Sequence, residues 1–132
     1  FVELGAEALR CVRENLAITG FTNRAEVIRA DAFLFLASAH AAGRRFDIVY
    51  IAPPQYKGMA VRALTQLDTA PVTEPGGLVI AQVHPTERPE LADLALRHLR
   101  PYDERRYGST LLLFYEHEAE QPSDQEQPTK EE

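Results

Sequence analysis

The amino-acid sequence predicts an α/β fold with a largely parallel β-sheet and an antiparallel hairpin near the carboxyl terminus. Two apolar runs, residues 46–51 and 78–83, contain one polar residue each. This lack of alternation is typical of strands covered by helices on both faces. Segments with apolar residues at helical spacing separate the runs, which indicates βαβ units. Residues 105–107 and 110–115 flank Gly108-Ser109 and predict the hairpin.

The amino-terminal half is predicted to contain two strand-to-helix units. The strands are expected over residues 1–4 and 25–30, and the helices over residues 6–18 and 32–42. In the first helix Leu9, Val12 and Leu16 fall at helical spacing, which gives the helix one apolar face. Gly20 and Gly43 follow the two helices as stop signals, because glycine readily adopts the left-handed conformation of a helix end.

The carboxyl-terminal half continues the same alternation. The expected order is a strand over residues 46–51, a helix over 59–67, a turn at 75–77 and a strand over 78–83. Pro89 then opens a last helix at the position in the first turn that proline favours. Leu91, Leu94, Ala95 and Leu99 are expected to form the apolar face of this helix.

The strand at residues 46–51 stops at two consecutive prolines. Proline cannot donate to a sheet ladder, so the strand must end at Ile51 or Ala52. Pro53, Pro54 and Tyr56 then lie beyond the carboxyl end of the strand, which is where ligands bind in open α/β sheets. A rigid turn without a ligand explains the same residues equally well.

Two carboxylates end the strands that precede the first two helices. Glu3 can accept two hydrogen bonds from the vicinal hydroxyls of a ribose, and the helix dipole also favours an acid there. Asp31 can accept from an exocyclic adenine amine, cap the following helix, or do both. Because Glu3, Asp31 and the Pro-Pro turn close successive strands, we expect them along one edge of the sheet.

Composition limits the class of protein. The chain has 132 residues, 45% of them hydrophobic, which is enough for the core of one domain. A single cysteine, Cys11, excludes an internal disulfide framework, and no His or second Cys is spaced around it as a metal ligand. No apolar run approaches the length of a membrane span. These features predict a cytoplasmic protein without a metal site.

The net charge of −6 lies mostly in the last residues. From His117 onward there are six acids and one lysine, a net of −5 that leaves the preceding chain near −1. This segment is polar and lacks aromatic residues, so we expect a disordered acidic tail over residues 117–132 and a partial domain over residues 1–116. The chain opens at Phe1 within an apolar pair, which we interpret as a strand cut before its start.

The order of these segments resembles the class I S-adenosylmethionine-dependent methyltransferases. Residues 52–56, Ala-Pro-Pro-Gln-Tyr, are similar to motif IV of the amino-methyltransferases, in which Asp or Asn precedes Pro-Pro and an aromatic residue. Within this class the chain resembles the RsmD-type enzymes, which methylate the N2 amine of a guanine in small-subunit ribosomal RNA. The matching segments are Phe1-Val2-Glu3, Arg13-Glu14-Asn15-Leu16, Phe46-Asp47-Ile48-Val49, Lys57-Gly58, Gly77-Leu78-Val79-Ile80 and the closing hairpin from Arg106 to Tyr115.

The resemblance implies a Rossmann-like sheet that binds S-adenosylmethionine. Glu3 would bind the cofactor ribose, Leu4 would pack on the adenine, and Asp31 with Ala32 would meet the adenine amine. The first strand of the family and its glycine-rich loop have no counterpart in the chain and would precede Phe1.

The resemblance also implies an acceptor site. Pro53, Pro54 and Tyr56 would hold the target base, and Ala52 stands where the family has Asp or Asn. The expected partner is ribosomal RNA or a small-subunit assembly intermediate, bound by a monomer that does not contact membrane. Because Ala52 provides no acceptor, a non-catalytic RNA-binding or partner-binding relic of the fold stays open, as does an enzyme that methylates another base or a small molecule.

Overall fold

The computed structural model describes residues 1–55 and 58–119. The predictions for Tyr56 and for most of the acidic tail therefore lie outside the described residues. The described strands are β1 (Val2–Glu3), β2 (Ile28–Arg29), β3 (Phe46–Ile51), β4 (Thr73–Val83), β5 (Leu99–Tyr107) and β6 (Thr110–His117). The described α-helices are α1 (Ala6–Thr19), α2 (Ala32–Ala41), α3 (Met59–Thr69) and α4 (Arg88–Ala92).

The strands form two sheets. One is the parallel pair β1-β2, and the other has the order β3-β4-β6-β5. Strands β3 and β4 are parallel, whereas β4 with β6 and β5 with β6 are antiparallel. The predicted α/β fold, with parallel strands and an antiparallel carboxyl-terminal hairpin, is confirmed. Within the described residues, β1 and β3 each have an edge that pairs with no strand.

The core lies on one face of the four-stranded sheet. Side chains of α2, α3 and α4 cluster there with Val79 and Leu113. On the opposite face Ile48 is 58% exposed and Tyr50 is 54% exposed. The expectation that the Phe46 strand is covered on both faces is therefore wrong for the described residues, because the helices that contribute to the core pack on a single side.

The predicted helix from Pro89 to Leu99 is wrong in its length. Helix α4 ends at Ala92, and Leu99 begins β5, where it pairs with His117. The physical reason is Asp68 on α3, whose carboxylate accepts hydrogen bonds from three consecutive backbone N–H groups, those of residues 97, 98 and 99, at 2.7–3.1 Å. These bonds fix the segment in a non-helical conformation and direct it into the hairpin.

The turn predicted at residues 75–77 lies inside a strand instead. Strand β4 begins at Thr73, and Gly76 has a φ of 78° that glycine readily adopts. At Gly77 a Cβ atom would lie 2.9 Å from the backbone oxygen of Asp47. The two glycines therefore permit an irregular strand start and a close approach of β3 to β4.

His117 is a buried imidazole at the end of β6. It is 8% exposed, and neither ring nitrogen has a hydrogen-bond partner among the described residues. Burial lowers the pKa of His117 below its ordinary 6.5, and the neighbouring His98 lowers it further, outweighing the opposite effects of Asp68 and Glu118. The native state therefore favours the neutral ring.

Acidification below pH 6.5 is expected to weaken the fold through His117. Because the folded pKa is depressed, the unfolded chain binds a proton first, so the free energy of unfolding falls from about pH 6.5 until the folded pKa is passed. Urea unfolding at pH 7.5 and 5.5 measures this loss in wild type and in His117→Gln. The prediction is contradicted if the variant, which cannot titrate there, loses as much stability as wild type.

Candidate functional site

Seven of the eight predicted site residues line one cavity. The cavity has a volume of about 530 Å³ and is lined by residues of β1 and β3 and of the start of α2. The seven residues are Glu3, Leu4, Asp31, Ala32, Ala52, Pro53 and Pro54. The strand ends therefore border one cavity, although β1 and β2 belong to a different sheet from β3 in the described residues, and the individual roles stay predictions.

Glu3 is held in place by the backbone that follows it. Its Oε1 atom accepts from the N–H of Leu4 at 2.9 Å and from the N–H of Gly5 at 2.8 Å. Gly5 is the N-cap residue of α1. Within residues 1–55 and 58–119, no hydrogen bond reaches Oε2, so this oxygen is able to accept from a ligand hydroxyl.

Asp31 also binds the backbone that follows it, but as the cap of a helix. Its Oδ1 atom accepts from the N–H groups of Phe33 and Leu34 at 2.9 and 3.1 Å, so Asp31 is the N-cap of the helix. In the described part of the chain, Oδ2 takes part in none of the hydrogen bonds. The sequence left open whether Asp31 caps the helix, binds a ligand or does both. The structure establishes the cap and leaves the second oxygen for a ligand.

The Pro-Pro turn follows β3 as predicted. Strand β3 ends at Ile51, and Ala52 lies exposed at the cavity between the strand end and the prolines. The methyl group of Ala52 offers no hydrogen-bond acceptor. Gln55 is exposed and does not line the cavity. The polar side chains on the two sides of the cavity therefore differ, with two carboxylates on the β1 and α2 side and none on the turn.

Phe33 is a cavity residue that the sequence analysis did not identify. Its ring lines the cavity two residues after Asp31. The guanidinium carbon of Arg62 on α3 lies 3.7 Å from the centre of this ring, and Nε2 of Gln66 donates to the backbone oxygen of Phe33 at 2.8 Å. Helix α3 thus holds the start of α2 although the two are about 30 positions apart in sequence. A pattern of helical spacing covers only a few turns, so it could not predict this contact.

His84 caps a short turn after β4. Its Nδ1 atom accepts from the backbone N–H of Thr86 at 3.2 Å, and its own backbone N–H donates to Glu87 at 2.9 Å. His84 is not among the residues that line the cavity. These contacts give it a structural function at the end of the strand.

The described residues lack the features of a metal site and of a membrane-spanning helix. They contain no group of three or more His, Cys, Asp or Glu side chains that could hold a metal ion. None of their helices combines the length and the apolar character needed to cross a bilayer.

A family model covers almost all of the described chain. The model described as "Conserved hypothetical protein 95" matches residues 1–116. The chain belongs to this family. The matched range includes every residue that lines the cavity.

The chain is also similar to known proteins, both in sequence and in structure. The chain is 36% identical over 56 residues to the ribosomal RNA large subunit methyltransferase K of Neisseria meningitidis serogroup B, a match that covers 42% of this chain and 16% of that protein. The solved structure of the candidate methyltransferase YhhF from Escherichia coli has a TM-score of 0.69 at 20% identity, covering 90% of this chain and 62% of that one. The chain therefore spans less than two thirds of these relatives.

One matched structure contains a ligand. The candidate methyltransferase SMU.776 was solved as a complex with SAH, and it matches 87% of this chain and 38% of its own at 13% identity, with a TM-score of 0.56. The predicted class I methyltransferase architecture is thereby confirmed at the level of the fold.

Proposed function

We propose that this chain is part of an S-adenosylmethionine-dependent enzyme that methylates an exocyclic guanine amine in small-subunit ribosomal RNA. The observation that carries the proposal is one cavity that is lined by the two strand-end carboxylates, Glu3 and Asp31, and by the Pro-Pro turn. Membership of the family and the similarity to a ribosomal RNA methyltransferase support it. The guanine target and the small subunit rest on the resemblance of the sequence segments alone.

The cofactor side of the cavity fits a nucleoside. Oε2 of Glu3 and Oδ2 of Asp31 take part in no hydrogen bond within the described residues, so each can accept from a polar hydrogen of a bound molecule. Leu4 is 58% exposed and offers an apolar surface for a purine ring. S-adenosylmethionine would supply a methyl group bonded to a sulfonium. Transfer of this carbon to the amine nitrogen would release the sulfur as a neutral thioether without help from an acid, and the amine would lose one proton to water.

The acceptor side has to orient a weak nucleophile. The lone pair of an exocyclic guanine amine is delocalised into the ring, so an acceptor that binds its hydrogens helps to localise the pair. With Ala52 in place of an acid, a backbone carbonyl of the Pro-Pro turn is the acceptor that the chain provides. Alignment by the two prolines supplies the rest, and positioning alone can lower a barrier by several kcal/mol.

The strand edges of β1 and β3 that pair with no strand in the described residues lead to a prediction about cofactor affinity. Residues of both strands line the cavity, and the resemblance to the methyltransferases implies a further strand with a glycine-rich turn beside them. We therefore expect the 132-residue chain to bind SAH more weakly than the full-length gene product. Calorimetric titration of both proteins with SAH measures the difference, and equal affinities would contradict the expectation.

Methyl transfer by the full-length gene product tests the proposed function. Purified protein is incubated with tritiated S-adenosylmethionine and deproteinised small-subunit or large-subunit ribosomal RNA, and the labelled nucleotide is identified after digestion. The proposal predicts label on the N2 amine of a guanine in the small-subunit RNA. Label on another base would support the alternative acceptor. Binding of the RNA without methyl transfer would support the alternative of a non-catalytic RNA-binding relic of the fold.

Asp31 variants separate the cap from the cofactor contact. Asp31→Asn keeps an oxygen for the cap but replaces the second oxygen by a donor, so we expect unchanged stability and weaker binding of SAH, by about five- to a hundredfold for the loss of one buried hydrogen bond. Asp31→Ala should lose both affinity and about 1 kcal/mol of stability. Melting curves and titrations of the full-length variants provide the two readouts. If Asp31→Ala loses stability while affinity holds, Asp31 is only a cap.

A further inference from the structure

Arg62 is an exposed cation on α3 that carries no ion pair. Within residues 1–55 and 58–119 its guanidinium takes part in no salt bridge and in no side-chain hydrogen bond. By contrast, Arg10, Arg88 and Arg105 each lie within 3.1 Å of a carboxylate oxygen. The donors of Arg62 are therefore available to an external anion.

The position of Arg62 is fixed by an aromatic ring. The guanidinium carbon lies 3.7 Å from the centre of the Phe33 ring, and Phe33 is partly buried in the cavity wall. Stacking uses one face of the planar group and leaves its N–H edges free. An arginine held in this way loses less conformational freedom when it binds, and its planar fork matches two phosphate oxygens.

Arg62 lies next to the cavity without lining it. The Phe33 ring that it contacts belongs to the α2 side of the cavity, and Met59, at the start of α3, also lines the cavity. Residues three positions apart lie on the same face of a helix, so Arg62 is one turn beyond Met59 on α3. A polynucleotide whose base enters the cavity would bring a neighbouring phosphate to this rim.

We propose that Arg62, stacked on Phe33, binds a backbone phosphate of the RNA next to the base that enters the cavity. This inference rests on the proposed RNA substrate and adds a positioning residue to it. The contact acts through charge and geometry, so it would contribute the same amount for any base sequence. When this contact is removed, the binding of RNA should release one fewer counterion.

RNA binding as a function of salt tests the proposal. The full-length gene product, Arg62→Gln and Arg62→Lys are titrated with deproteinised small-subunit ribosomal RNA between 50 and 300 mM potassium chloride, with Arg13→Gln as the matched control. Arg13 is exposed on α1 and is not among the residues that line the cavity. We expect Arg62→Gln to bind about tenfold more weakly at low salt, with a log–log salt slope smaller by about one. Arg62→Lys should recover the slope but only part of the affinity.

A double-mutant cycle tests whether the phosphate contact depends on the aromatic ring. Phe33→Leu should weaken RNA binding, and adding Arg62→Gln to it should cost less than Arg62→Gln alone, because the ring no longer orients the cation. Unchanged RNA affinity and slope in Arg62→Gln would overturn the inference while the proposed function stands. Failure of the wild-type protein to bind the RNA at any salt concentration would overturn both.

Discussion

Replacing Asp68 by Ala is expected to lower the free energy of unfolding by about 3 kcal/mol or more, the largest loss of stability that we predict for a single side chain. Asp68 is 4% exposed and accepts from the backbone N–H groups of Arg97, His98 and Leu99. Removing it breaks the bonds from three donors to a charged acceptor, and a hydrogen bond to a charged group is worth about 1.5–3 kcal/mol. The Leu99 donor is buried, whereas those of Arg97 and His98 are part-buried. Urea unfolding at pH 7.5 measures the loss.

Two control variants show whether the loss of stability comes from the missing carboxylate or from substitution in general. Asp68→Asn keeps Oδ1, which accepts the bonds from His98 and Leu99 at 2.7 and 2.8 Å, so it should lose less than Asp68→Ala. Asp93→Ala removes an exposed acid just after α4 and should change stability by less than about 0.5 kcal/mol. Equal stabilities of Asp68→Ala and Asp93→Ala would contradict the account of how the last helix ends.

The stabilisation by Asp68 should also depend on pH. Burial alone would raise the pKa of Asp68, but the three backbone donors and the neighbouring His98 together hold it below 3.8. Because the folded pKa is depressed, the contribution is complete above the unfolded value and is lost as pH falls through the folded one. The difference between wild type and Asp68→Ala should therefore shrink below about pH 3.8.

The elements that the sequence predicted correctly are those set by local spacing. The end of β3 at Ile51 follows from the missing N–H of proline, and α1 follows from a repeated apolar face closed by Gly20. The helix expected to reach Leu99 was wrong because a side chain about 30 positions earlier holds that backbone. Such a contact has no local signature in the sequence.

In the candidate site, too, local features could be predicted from the sequence and long-range contacts could not. Glu3, Asp31 and the prolines could be placed together because each ends a strand, and the carboxyl ends of parallel strands share an edge. The sequence could not show that one oxygen of each carboxylate accepts from the backbone while the other is left for a ligand, because this depends on the conformation of the chain after each strand. Arg62 and Phe33 were missed as a pair because they belong to different helices and meet only through tertiary packing.

Restoring the acid at position 52 is expected to raise methyl transfer by about tenfold or more, the largest change in activity that we predict. Ala52 lines the cavity together with Pro53 and Pro54, so an Asp side chain there would lie next to the base amine that we propose these prolines to hold. One added hydrogen bond from an amine to a charged acceptor is worth about 1.5–3 kcal/mol, or roughly ten- to a hundredfold in rate when it strengthens in the transition state. Single-turnover transfer to small-subunit RNA by the full-length protein measures the chemical step.

Matched variants at positions 52 and 55 identify the cause of any change in rate. Ala52→Asn adds a neutral acceptor and should raise turnover less than Ala52→Asp, whereas Ala52→Val adds bulk without an acceptor and should not raise it. Gln55 is exposed and lies outside the cavity wall, so Gln55→Ala should leave the rate nearly unchanged. If Ala52→Asp instead lowers the rate and Gln55→Ala abolishes it, the acceptor site has been rebuilt around Gln55, and an acid at position 52 only adds an uncompensated charge beside the base.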